Sequence, residues 1–164
     1  MKKQLIALSL LALPFFAMAK GTGYGNTDWG MTPSEVVAVQ KGAHLITPEK
    51  FKHAWGKVQT DNLTIGSGVY TIKYLFDGSD RLTQTNVSNN EKKNKGIINL
   101  HFDALHKMLT QKYGKPEFEG DDSVVWKVED TSIELTRLII ANIMANVTVI
   151  YRPDTAISKD TSNL

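Results

Sequence analysis

The chain contains no cysteine. This excludes disulfide cross-links, a thiolate nucleophile and a lipid anchor on a cysteine, so burial of apolar surface has to hold the fold alone. An excess of charge is also missing. Lys2 and Lys3 are the only charged residues among the first nineteen. Beyond residue 19 the basic count therefore falls from 19 to 17 and matches the 17 acidic residues. A neutral chain lacks the basic footprint that nucleic-acid binding needs. Beyond residue 19 no apolar run is long enough to span a bilayer. Signature motifs of chemistry are absent too. There is no G-x-S-x-G elbow, and Gly21, Gly23 and Gly25 neither follow a strand nor lead to G-K-[ST], which excludes a phosphate loop.

Location is the most legible property. Lys2 and Lys3, an apolar stretch from Leu5 to Met18 and the small-residue triplet Ala17-Met18-Ala19 form a secretory signal pattern, with cleavage expected between Ala19 and Lys20. Removing nineteen residues from 164 leaves 145, one domain's worth. The expected division is a signal peptide over 1–19, a flexible Gly/Thr/Asn-rich lead-in over 20–28, one domain over 29–152 and a polar tail over 153–164. The expected location is the periplasm or the medium outside.

The pattern predicts two helices. Thr32-Pro33-Ser34-Glu35 is a capping box with Pro at N1, opening a helix to about Lys41 with Gly42 as its stop. Val36, Val37 and Val39 supply its apolar side. Ile98, Phe102, Leu105 and Leu109 recur at helical spacing and form the stripe of a longer helix over 96–112, widened by Ile97, His101 and Met108 and closed by Gly114 and Pro116. A short helical turn is expected from Thr47-Pro48-Glu49, carrying Phe51 and Trp55. Six strands are expected over 58–65, 69–76, 81–87, 123–128, 132–140 and 146–151, alternating as in Tyr70, Ile72, Tyr74 and Phe76. Short connections favour antiparallel pairing. The fold class is α+β, a two-layer arrangement with both helices on one face of a mostly antiparallel sheet and a possible duplication of an α-β-β-β unit.

Trp29-Gly30-Met31-Thr32-Pro33-Ser34-Glu35-Val36, then Tyr74-Leu75-Phe76-Asp77-Gly78, then Tyr113-Gly114-Lys115-Pro116, resembles a pattern of small exported bacterial proteins of unassigned role. The G-M-T-x-x-x-V helix start is also similar to that of the small lipoprotein of the outer-membrane barrel-assembly machine and to the repeats of beta-lactamase inhibitory protein. These resemblances imply binding of other proteins without catalysis. The chain departs from both, having neither a lipid-bearing cysteine nor the inhibitor's paired cysteines.

No residue pattern calls for a cofactor or a metal. His101 and His106 lie about 140° apart on one helix and do not share a face. His44 and His53 have no carboxylate at ligand spacing. Glu117, Glu119, Asp121 and Asp122 lack the layout of a calcium loop. The reading is therefore a non-enzymatic interaction module that binds another envelope protein, with Tyr24 and Trp55 as candidate contacts. An alternative is a carrier of a lipid or cell-wall fragment, its pocket lined by Tyr70, Tyr74 and Trp126. A Ser/His/Asp hydrolase assembled from distant residues stays open as a third reading. The capping box makes a direct prediction: Thr32→Ala lowers stability by about 0.5–2 kcal/mol, read as a lower melting temperature.

Overall fold

A computed structural model describes residues 22–141 and 143–154. The signal pattern of residues 1–19 and the tail beyond Asp154 lie outside the described residues. The elements run α1 (Pro33–Val39), β1 (Ala43–Lys50), β2 (Trp55–Ile65), β3 (Gly68–Phe76), β4 (Leu82–Asn89), α2 (Lys95–Tyr113), β5 (Phe118–Glu119), β6 (Ser123–Val128), β7 (Thr131–Ile140) and β8 (Met144–Pro153). All eight strands belong to one sheet in the order β1-β2-β3-β4-β8-β7-β6-β5, and every ladder is antiparallel. The α+β class stands. One helix followed by four strands occurs twice, and the two four-strand sets meet along β4 and β8.

The capping box forms as read. The Glu35 N–H donates to Thr32 Oγ1 at 3.4 Å, and the Thr32 N–H donates to Glu35 Oε2 at 2.7 Å. The bond from the Thr32 N–H holds the Glu35 carboxyl below its ordinary pKa. Just before the cap, the Gly30 N–H donates to the Leu82 carbonyl and the Leu82 N–H to the Met31 carbonyl, at 2.9 and 2.8 Å. Gly30 reaches this position with φ of 85°, which a side chain would oppose. This pair of bonds ties the start of α1 to the start of β4. Residues 22–28, expected to be flexible, are instead folded back. The Gly23 N–H donates to the Thr27 carbonyl at 2.8 Å, and Thr27 is fully buried.

Alternation along the strands separates core from surface. Across the ladders Val58, Tyr74, Thr85, Tyr151, Ile133 and Trp126 form one row, and Thr60, Ile72, Val87, Val149, Leu135 and Val124 form the next. All twelve are buried. Val36 of α1 and the whole predicted α2 stripe, Ile98, Phe102, Leu105 and Leu109, join the same cluster. Val39 and Met108, assigned to apolar helix faces by spacing, stay exposed.

Three further expectations need correction. Thr47-Pro48-Glu49 does not start a helix: residues 43–50 form the edge strand β1. Its pairing with β2 breaks register between Leu45 and Glu49. A proline is tolerated at such an edge irregularity because no ladder bond needs its missing N–H. The sheet accordingly has eight strands, not six, since the two-residue β5 was also unread. The predicted loop Ala141–Ala145 is shorter as well, because β8 begins at Met144.

The two faces of β7 should respond differently to truncation. Leu135→Ala, at a fully buried site, is expected to cost about 2–5 kcal/mol. Leu138→Ala, three residues on and exposed, should change stability by less than about 0.5 kcal/mol. Equilibrium denaturant unfolding of the two variants checks this.

Candidate interaction surface

The residues that alternate with the core form a second set of rows. One crosses all eight strands in register: His44, Gln59, Lys73, Asn86, Ile150, Glu134, Val125 and Phe118. Seven strand spacings make this row roughly 34 Å long. Beside it, Thr71, Ser88, Thr148, Thr136 and Ser123 align on five adjacent strands as an unbroken row of hydroxyls. Most of these side chains are half-buried by their neighbours.

The polar groups here are matched to one another. Arg152 Nε donates to Gln84 Oε1 at 2.8 Å, and its guanidinium lies 3.7 Å from Glu134. Gln84 Nε2 donates to Asn86 Oδ1 at 2.7 Å. The Ser88 and Thr148 hydroxyls meet at 3.1 Å. Lys73 pairs with Glu49, and His44 lies 3.5 Å from Asp61. Such a surface presents fixed donors and acceptors of both signs.

Aromatic groups sit at its β1–β2 margin. A Cβ on Gly56 would meet the Phe51 ring at 3.1 Å, so glycine is what lets that ring lie against β2. Lys73 Nζ lies 5.8 Å from the Phe51 ring centre, and Lys50 Nζ lies 5.6 Å from that of Trp55. Spacing assigned Phe51 to a helix and thereby missed it. The pairing of Lys73, Asn86, Ile150 and Glu134 was equally invisible, because strand order is not written in local pattern.

The residues singled out in the sequence do not converge. Trp55 is 36% exposed at the margin, whereas Tyr24 packs edge-on against Tyr151 with ring centres 5.1 Å apart. Tyr70 and Tyr74 lie on β3 and Trp126 on β6, four strand spacings or roughly 19 Å apart. All three are buried, and the Trp126 indole N–H donates to the Gly114 carbonyl at 3.1 Å.

The histidines are dispersed. Asn89 Nδ2 sits 2.9 Å from His101 Nδ1 in a buried contact, and because Asn89 Oδ1 accepts the Glu91 N–H, its amide faces the ring as donor. His106 Nε2 lies 3.5 Å from Glu119 beside the Trp126 ring. That pair borders a shallow depression of about 630 Å³ that also takes in Asp103, Lys107 and Lys115. Among the described residues no three His, Asp or Glu side chains converge to hold a metal ion. Compared with protein-family models, curated proteins and solved structures, the chain matches none.

Tyrosines dominate the ionisable groups of the interior. Burial pushes Tyr24 up to about 12 from its ordinary 10.0, with Tyr113 adding to the effect. Burial also raises Tyr74 and Tyr151. A raised folded-state pKa means the folded form prefers the neutral phenol. Its contribution is complete below pH 10 and is lost as pH rises through the folded value. The fold should therefore weaken between about pH 10 and 12, and Tyr24→Phe should reduce that loss. Circular dichroism recorded alongside tyrosinate absorbance checks both.

Proposed function

We propose that this protein is a two-layer α+β module, exported to the periplasm or beyond, that binds another envelope protein through the helix-free face of its sheet and performs no chemistry of its own. The row from His44 to Phe118 carries this reading. It offers a continuous face of roughly 34 by 20 Å, close to the ~800 Å² that a standard interface buries per partner. Its mixed polar and apolar composition suits a partner that comes and goes, since such interfaces are no more apolar than ordinary surface. Matched charges limit the desolvation each would suffer alone. The resemblance of the Gly30-Met31-Thr32 helix start to proteins that bind other proteins points the same way, and the signal pattern of residues 1–19 supports the location.

The same reading takes the repeated helix-plus-four-strand order as a duplication of an α-β-β-β-β unit, one strand longer than the unit inferred from pattern. The small-ligand alternative has less behind it, because Tyr70 and Tyr74 sit four strands from Trp126.

A photo-crosslinking amino acid at Thr71 or Asn86, on the helix-free face, should give an adduct with one discrete envelope protein in intact cells. The same group at Lys107, on the exposed side of α2, should give none. Equal adducts from both sides, or adducts from Lys107 alone, would overturn the proposal.

A further inference from the structure

The β7–β8 hairpin outreaches the sheet. The last partner of β7 on β6 is Thr136, opposite Ser123, and the last partner of β8 on β4 is Thr148, opposite Ser88. The β7–β8 ladder itself continues to Ile140 and Met144. Beyond the ladders with β6 and β4, residues 137–140 and 144–147 continue as a ribbon roughly 13 Å long, fastened at its base by the bond from the Arg137 N–H to the Asp122 carbonyl at 2.8 Å. One side of this ribbon is covered, with Ala145 and Val147 buried and Ile139 packed against the core, so its other side and its tip would ordinarily be polar. This tip is apolar. Leu138 is 51% exposed, Ile140 41% and Ile143 71%. Met144 pairs across from Ile140 and is half-buried.

The loop beside the tip is cationic. The Ala145 N–H donates to the Lys92 carbonyl at 2.8 Å, and Lys92 Nζ donates to Asn146 Oδ1 at 2.7 Å, so the β4–α2 loop is fastened to the hairpin. Lys93 and Lys95 follow, both exposed, and border a cleft of about 470 Å³ with Ile140, Ile143 and Met144. The first turn of α2 contains no acidic residue to offset them. Nearby carboxylates are engaged. Glu91 accepts the N–H groups of Lys92, Lys93 and Asn94 at 2.8–3.0 Å, and Asp122 pairs with Arg137 at 2.8 Å. Asp121 shares the β5–β6 turn with Asp122, behind the projecting residues.

We infer that the β7–β8 tip docks on an anionic phospholipid surface, with Leu138, Ile140, Ile143 and Met144 entering the headgroup–acyl boundary and Lys93 and Lys95 facing lipid phosphates. The chemistry and reach agree. Peripheral apolar groups enter that boundary by roughly 5–10 Å, within the length of the projection. Lysines beside an apolar tip complement a negative leaflet. Leu138, Ile140 and Met144 continue the helix-free side of β7 and β8 beyond the rows that carry the proposed protein contact, and the tip variants leave those rows intact, so the two readings fail separately.

The test uses the chain beginning at Lys20, which removes the apolar leader as a competing membrane anchor. Co-sedimentation with phosphatidylglycerol-containing vesicles should exceed that with phosphatidylcholine vesicles and fall with added salt. Lys93→Gln with Lys95→Gln should lower the partition coefficient about 25-fold, at roughly fivefold per lysine. Ile143→Asp should lower it at least about tenfold, since it puts a charge into the apolar boundary. Leu45→Asp, at the exposed far edge of the sheet, should leave it unchanged. Unaltered melting temperatures would show that the variants fold. Absence of binding to anionic vesicles overturns the inference. So does binding indifferent to these tip variants, or a tip that drives self-association without vesicle binding.

Discussion

Four residue pairs between β4 and β8 hold this molecule together: Thr85 with Tyr151, Asn86 with Ile150, Val87 with Val149 and Ser88 with Thr148. Every other ladder lies within one half of the chain, either β1 to β4 or β5 to β8. Residues of both halves belong to one apolar cluster, so the central seam joins them into a single core. The seam works on both faces at once. Val87 and Val149 face the core, while Asn86, Ser88, Thr148 and Ile150 continue the polar rows across the joint. A break there would divide the apolar cluster and the proposed binding face together.

That double use explains why the proposed functions fall on surfaces and not in a pocket. The largest fully buried side chains, Trp126, Tyr70, Tyr74 and Phe76, are spent on the core. What remains for recognition is the alternate set of each strand and the places where the sheet ends. On the broad face, charges and hydroxyls are paired and held by neighbouring strands, which keeps them in place before a partner arrives. At the β7–β8 tip the apolar side chains have no neighbouring strand to cover them. The broad platform and the small greasy projection are proposed to meet different partners, a folded protein for the first and a lipid surface for the second.

Much of the core was legible from pattern because it depends on local periodicity. The α2 stripe is read from helical spacing, and the helix ends at Gly114 as the sequence indicates. The alternation of Tyr70, Ile72 and Tyr74 is read from a period of two. The capping box at Thr32 and Glu35 is a short-range hydrogen-bond pattern and appears as written. Local reasoning failed where a local cue lost to a distant one. Thr47-Pro48-Glu49 carries a helix-start signature, yet pairing of residues 43–45 and 49–50 with β2 outweighed it. Phe51 went with that error, as did its place at the margin of the broad face.

The amino-acid order alone determined both helices, six of the eight strands, their amphipathic faces and the signal pattern, because each depends on residues within a few positions of one another, and the lack of cysteine determined the absence of covalent cross-links. Only the tertiary structure decided that β4 and β8 are the central neighbours, that Lys73, Asn86, Ile150 and Glu134 stand in one row, and that the β7–β8 hairpin outruns its flanking strands. Those facts arise from strand order and register, which are set by burying all the apolar faces in one shared core. No single segment contains that information.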